Sequence, residues 1–330
     1  MTARAGYLAP RCSTIIWAAV FSSLILSGIF AGRSLPACAE PPKAKSGNQR
    51  PFRLELHDAR DVVIATSGND SRAESAVLAF EHEYQPGDRI VVSGPSRMAI
   101  RVDDWMPECV VYLANPRQST FSFDIPYGRG EPQTRSPFSR DSFAGQWHRV
   151  TARDLTAQER SGYRNLAMNT CDQELQPPTV EGTGAQKQAN VFPHALTNSV
   201  SRSLPDFRAR NAIDGMTQNG HHGIWPYQSW GPELRSDLWW KIEFGRPVEV
   251  DKIRLMIRAD FPHDSYWQSA IMEFSDGEQL PIQLIQSAEF QDFTFPKRSV
   301  SWIRLNKLVP ADPARWCSFI EVETWGRDLK

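Results

Sequence analysis

Over residues 238–257 the chain alternates with a period of two. Leu238, Trp240, Ile242 and Phe244 fall on one side, with Trp239, Lys241 and Glu243 opposite. Ile253, Leu255 and Ile257 repeat the pattern against Arg254, Met256 and Arg258. A helix puts residues two apart on different faces, so this spacing commits the segment to strands buried on one side. Gly245-Arg246-Pro247 between the two runs is a turn signal and predicts two strands joined there. Ala270, Met272 and Phe274, then Ser275-Asp276-Gly277, then Leu280, Ile282 and Leu284 read as a hairpin. Residues 299–305 and 319–323 read as closing strands, with Phe290, Phe293 and Phe295 filling a core. Residues 207–213 have room for about two helical turns, with Asp206 as N-cap and Gly215 as the stop.

The segments between these runs are irregular and carry side chains suited to gripping a ligand. An aromatic face stacks on the C–H side of a pyranose, and planar or charged side chains hold its hydroxyls. Trp225, Tyr227, Trp230, Tyr266 and Trp267 offer faces; His221, His222, Arg258, Asp260, His263 and Asp264 offer grip. His194, in Phe192-Pro193-His194, is expected to join them. Trp225, Tyr227, Arg258, His263, Asp264 and Tyr266 are expected to converge on one exposed face, because strands would present their loops together. Trp230, Trp239, Trp240 and Trp302 have a competing reading as core. His221-His222 with His194 or His263 is alternatively a transition-metal donor set.

The N-terminus bounds the compartment. Arg4 and Arg11 precede an apolar run over residues 15–30, and Ala37-Cys38-Ala39 is a small-x-small site, so residues 1–39 read as a secretory signal. An uncleaved anchor, or a lipoprotein cut before Cys38, stays open. Each reading leaves the rest outside the cytoplasm: secreted, periplasmic or at the cell surface, touching membrane only if the segment is uncleaved or lipidated. Three of the 37 basic residues and none of the 38 acids lie in residues 1–39, so the exported chain carries a charge of about −4. No basic stripe is visible, which argues against nucleic acid as a partner.

The remaining 291 residues suit two domains. Residues 40–52 read as a tether and 53–162 as a first β-sandwich of short strands, 163–328 as a second domain. Within the first, 109–113 and 121–125 read as a hairpin, and Thr156 with Glu159 as a capping box opening a short helix. Trp105, Asp103, Asp104 and Trp147 lie near its loop ends, as packing and solvated surface or as a further binding edge. Of the three cysteines beyond residue 39, Cys109 and Cys171 are the first choice for a pair; three buried thiols is the other reading.

Ala212-Ile213-Asp214-Gly215, Trp239-Trp240-Lys241-Ile242-Glu243-Phe244-Gly245 and Glu321-Val322-Glu323-Thr324-Trp325-Gly326, in this order and spacing, resemble a discoidin or coagulation factor 5/8 type C module. The resemblance covers about residues 163–327, and more weakly 84–169. It implies an all-β chain of two jelly-roll-like β-sandwiches, the second galactose-binding-like and similar to carbohydrate-binding modules, with a polysaccharide or glycan as partner. It also implies one structural Ca²⁺, held by Asp214 and Glu321, with Thr217 adding a hydroxyl or carbonyl; oxygen donors of this kind suit the ion. The competing reading has Asp214 capping its turn and Glu321 solvated.

No nucleophile elbow, HExxH, P-loop or dinucleotide fingerprint occurs. The reading is therefore a non-catalytic glycan-binding protein. A glycan-processing enzyme using a pair from Glu233, Asp237, Asp260 and Asp264 is the alternative, with protein adhesion on the same fold as a third.

Overall fold

The computed structural model describes residues 51–68, 74–114, 120–126, 136–173, 191–221, 223–259 and 264–329. It is built almost wholly of antiparallel strands. The first are β1 (Arg53–His57), β2 (Val63–Thr66), β3 (Ser75–Glu81), β4 (Arg89–Ser93), β5 (Arg97–Arg101), β6 (Cys109–Leu113), β7 (Thr120–Asp124) and β8 (Trp147–Arg153). A single helical turn, α1 (Ala157–Ser161), follows. Its Thr156 Oγ1 accepts from Glu159 N at 3.2 Å while Glu159 Oε2 accepts from Thr156 N at 2.7 Å, the capping box expected.

Then come β9 (Arg164–Asn165), β10 (Val191–Phe192), β11 (His194–Thr197), β12 (Trp240–Ile257), β13 (Trp267–Phe274), β14 (Gln279–Gln283), β15 (Gln291–Pro310) and β16 (Phe319–Asp328). One sheet runs β2-β1-β4-β7 and a second β10-β6-β5-β8-β3. Leu54, Ile90 and Phe123 from the first pack on Met98, Val111 and Val150 from the second, which makes a sandwich with one buried interior. Residues 109–113 and 121–125 do not form the hairpin expected of them. β6 pairs with β5 and β10, and β7 pairs with β4 in the opposite sheet, so the chain crosses between layers here. Alternation tells which face of a strand is buried and leaves its neighbour open.

The second sandwich is made by long strands that bend. Residues 240–243 of β12 pair with β11 on one side and with 302–305 of β15 on the other. Residues 248–257 pair with the first half of β15 and with β16. The two strands joined by a turn are therefore one strand. Its register shifts between Glu243 and Val248, so Gly245-Arg246-Pro247 forms an irregularity in the strand instead of reversing the chain. Gly245 has φ +67°, and a Cβ there would lie 2.3 Å from the Phe192 ring, which leaves glycine as the residue that fits. β13 and β14 form the expected hairpin, and Trp230, Trp240, Ile242, Leu255, Phe274 and Phe319 share the core.

Residues 207–213 form no two-turn helix. Short 3₁₀ turns at Ser201–Ser203, Pro205–Phe207 and Ala209–Ala212 are separated by extended residues, Arg208 at φ −70°, ψ 159° among them. A turn this short closes few backbone bonds against the nucleation cost of a helix. Asp206 lies inside the second turn and is buried, so it is no N-cap, while Gly215 does take positive φ, at +79°. No helix among the described residues is long and apolar enough to cross a membrane. Residues 1–50, with the expected signal and most of the expected tether, and most of 170–190 lie outside the described residues; Phe52, the tether's last residue, is instead buried in the first core.

Candidate functional site

The site grows from the end of β12. Arg258 follows its last residue, is 1% exposed, and donates to the backbone oxygens of His221 and of Tyr227, the latter at 2.9 Å. Its Nε lies 3.8 Å from Asp264 Oδ2. One buried guanidinium therefore ties the 219–228 loop to the segment leading into β13. Asn219 Nδ2 adds a bond to the Ile257 carbonyl at 3.2 Å. On the far side of the loop the His221 and Tyr227 rings stand 5.6 Å apart, His221 exposed and Tyr227 half-buried. The arrangement is a preformed aromatic rim over a buried charge.

The expected set is only partly brought together. His221, Tyr227, Arg258 and Asp264 form one cluster. Arg258, read as an exposed grip, is instead the fastener beneath the rim, because its Nη1 and Nη2 satisfy two loop carbonyls that would otherwise be stranded. Tyr266 is half-buried against the second core, and its carbonyl accepts from Ala311 N at 2.9 Å. Trp267 contributes no face: it is 3% exposed and lies 6.3 Å from both Trp230 and Phe319, as β13 alternation requires of the residue after Tyr266. Trp230 is fully buried, its Nε1 donating to Ser199 O at 3.0 Å. His222, Asp260 and His263 lie outside the described residues.

His194 does not join the rim. It is buried, pairs in register with Glu243 near the start of β12, and its Nδ1 lies 2.6 Å from Asp172 Oδ1. Asp172 also accepts from Ala195 N at 2.9 Å, and its carbonyl accepts from Arg210 Nε at 2.8 Å, so this group braces the start of the second sandwich. Trp225 parts from Tyr227 as well. Its N–H donates to Ser136 O at 3.2 Å, and it lines a cleft between the sandwiches. Among the described residues no three His, Cys, Asp or Glu side chains form a group able to hold a metal ion. Of the carboxylates considered for hydrolysis, Glu233 accepts from Arg202 N at 2.5 Å, Asp237 pairs with Arg235, and Asp264 lies by Arg258.

Asp214 and Glu321 do meet. Met216 N donates to Asp214 Oδ1 at 2.9 Å, and Gln228 Nε2 to Oδ2 at 2.8 Å; Gly215 N donates to Glu321 Oε2 at 3.2 Å. Burial pushes Asp214 up to about 6. Glu321, 1% exposed and so far from solvated, is raised well above its ordinary value by burial and then by the Asp214 charge. Arg210, 3.8 Å from Asp214, offsets part of this. Thr217, two residues past Gly215, is exposed. Gln228, Asn219 and Arg210 escaped the sequence reading because each acts on a carboxylate or backbone oxygen far along the chain, which leaves no spacing signal.

No family model matches this chain, and no curated protein matches it. Among solved structures, the chain is similar to chitosan-binding module 1 of a chitosanase/glucanase from Paenibacillus sp. IK-5, at 19% identity and TM-score 0.34, over 49% of this chain and 99% of that one. It is similar to a Streptococcus pneumoniae fucose-binding module at 16% identity and TM-score 0.32, over 49% and 96%. It is also similar to the family 32 carbohydrate-binding module of NanJ from C. perfringens, solved with galactose, at 14% identity and TM-score 0.32, over 40% and 91%.

Proposed function

We propose that this protein is a non-catalytic glycan-binding protein that works outside the cytoplasm and holds its ligand at the loop rim of the second sandwich. The observation that carries the reading is the Arg258 fastener, which sets the His221 and Tyr227 rings side by side on loops fixed in advance. A ring face at a preformed rim stacks on a sugar at little ordering cost, and an imidazole beside it bonds a hydroxyl. Glycan processing and protein adhesion are the competing outcomes of the same experiment.

A structural Ca²⁺ belongs to the proposal. Asp214 and Glu321 fit it: two buried carboxylates, both pushed up by burial, bracket one turn with oxygen donors suited to a hard cation. Bound there, the ion supplies positive charge that lets both acids stay ionised and ties the 213–216 turn to β16.

The test is a polysaccharide panel scored for retention and for released product. The expected result is retention without release, with His221→Ala and Tyr227→Ala each weakening it by about tenfold at unchanged melting temperature, the range for loss of one stacking or polar anchor. Reducing ends appearing with time would replace binding by processing. Retention indifferent to both substitutions would remove the rim from the site.

A further inference from the structure

A cleft of about 310 Å³ opens where the two sandwiches meet. From the first sandwich come Arg101, at the end of β5, and Trp105; from the segment ahead of β8 come Phe138 and Ser142. The second sandwich supplies Trp225 and Gln228. Trp105 is 60% exposed and Trp225 half-buried, so an indole is offered from each side. Phe138 is committed beneath the Arg210 guanidinium, 4.9 Å from its ring centroid, and forms a firm floor.

Three polar atoms of this cleft are unmatched among the described residues. Arg101 Nε, Ser142 Oγ and Gln228 Oε1 are buried, and among the described residues none has a hydrogen-bond partner. Groups of this kind are normally satisfied, and three on one small cleft call for an external partner. Gln228 is held with its Oε1 free as acceptor because its Nε2 is taken by Asp214. The Arg101 side chain has no ion pair or hydrogen bond among the described residues, whereas Asp104, which also lines the cleft, is spent on Arg149 at 2.9 and 2.8 Å.

We propose that this cleft is a second ligand site, which takes a sugar unit bearing an anionic group, a uronate carboxylate or a sulfate ester. The Arg101 fork meets a planar or tetrahedral anion with parallel N–H donors. Ser142 and Gln228 Oε1 take ring hydroxyls, and the indoles cover the ring's C–H faces. The volume is at the small end for ligand pockets and holds roughly one or two rings. The rim at Tyr227 uses other residues, so this proposal stands apart from the rim reading, while Asp214 of the proposed Ca²⁺ site also lines the cleft and holds Gln228 in place.

The test is calorimetric titration of the full chain with an oligogalacturonide, a sulfated galactan oligosaccharide and a neutral galactan oligosaccharide of matched length. One anionic probe should bind at least tenfold more tightly than the neutral one, and less tightly as salt rises; which probe does so tells carboxylate from sulfate. Arg101→Ala and Trp105→Ala should each cost that probe about tenfold or more. The Arg101 side chain leaves no partner stranded among the described residues when removed, so its variant should keep the wild-type melting temperature; if it does not, Arg101→Gln replaces it. Tyr227→Ala separates the sites: loss of neutral-glycan retention with anionic binding kept assigns each ligand to its own place. Equal binding of all three probes, binding by none, or anionic binding that survives Arg101→Ala overturns the proposal, whatever the rim does.

Discussion

Glu321 in the last strand and Asp214 in the turn after the 3₁₀ segment clamp the same peptide turn, Glu321 through Gly215 N and Asp214 through Met216 N. Burial raises the cost of ionising both acids, the Asp214 charge raises that of Glu321 further, and Arg210 offsets part of it. The turn is thus held by two groups whose preferred protonation at neutral pH is in conflict. A bound cation would relieve that conflict.

The first prediction follows from its sign. A folded-state value raised above the ordinary 3.8, to about 6, means the folded chain holds the Asp214 proton more tightly than the unfolded one. The stability this gives is fully present below about pH 4 and is lost as pH rises through about 6, a change on the order of 3 kcal/mol for such a rise. In chelator, the melting temperature should therefore be higher at pH 5 than at pH 7. Added Ca²⁺ should raise it at pH 7 and do little at pH 5. His148, whose value burial lowers, works in the opposite direction over this window, so the difference between wild type and Asp214→Asn is the quantity to read. Melting curves that coincide with and without Ca²⁺ at pH 7 would remove the ion.

A second prediction concerns Arg258. Its removal strands two buried carbonyls and leaves Asp264 without its neighbour, which should cost about 2–4 kcal/mol. Arg258→Ala should lower the melting temperature by roughly 5–10 °C and weaken glycan retention together. Arg258→Lys should recover little, since one ammonium on a flexible stem cannot reach both carbonyls with a fixed fork. Retention lost at an unchanged melting temperature would make Arg258 a ligand contact instead.

Those residues show where sequence reasoning held. The period of two over β12, β13 and β14 was readable because one face of each strand meets a core, and the core fixes which side chains are apolar. Asp214 and Glu321 were reachable only through a resemblance, since 107 positions separate them. Arg258 was misplaced because arginine reads as surface, and its carbonyl partners carry no side-chain signature. Trp225 and Tyr227, two residues apart, were assigned one face, yet Trp225 turns toward the first sandwich; an irregular loop has no period to say otherwise. The crossing from β6 to β7 between layers was hidden for the same reason, as a connection of that length suits a hairpin or a crossing equally.

The third prediction concerns the thiols. Cys109, Cys171 and Cys317 are free and buried. Cys109 Sγ donates to Asn169 Oδ1 at 3.5 Å while that oxygen also accepts from Cys171 N, so the two cysteines share one anchor. Burial holds the Cys317 thiol up to about 12. Because all three are buried, a thiol reagent at pH 8 should label none of these three within minutes in folded protein, and each of them in denaturant, where the reactive thiolate can be reached. A single labelled thiol in denaturant would show Cys109 and Cys171 joined in a disulfide.

The last prediction is carried by Asp328, near the end of β16. Its Oδ1 accepts from Arg246 Nε at 2.7 Å, its Oδ2 accepts from Arg164 Nη2 at 3.2 Å, and Arg97 Nη1 lies 3.7 Å away. The carboxylate is 2% exposed. Burial lowers both Arg164 and Arg246, and Asp328 is the charge that most offsets this for each, with Glu159 adding to it at Arg164. Arg97 belongs to β5 of the first sandwich and Arg246 to β12 of the second, where its guanidinium also lies 4.9 Å from the Tyr112 ring centroid on β6. One carboxylate therefore joins the two halves. Replacing it leaves three guanidinium groups crowded and uncompensated, a loss of about 3–5 kcal/mol for a broken buried pair. Asp328→Ala should lower the melting temperature by about 10 °C, and Asp328→Asn by less, because an amide oxygen still accepts one bond. Raising salt should leave the wild-type value nearly unmoved, since buried pairs are poorly screened. A shift of the Ala variant by less than about 2 °C would mean that the arginines reach water or other acceptors without strain, and that the halves are joined by other contacts.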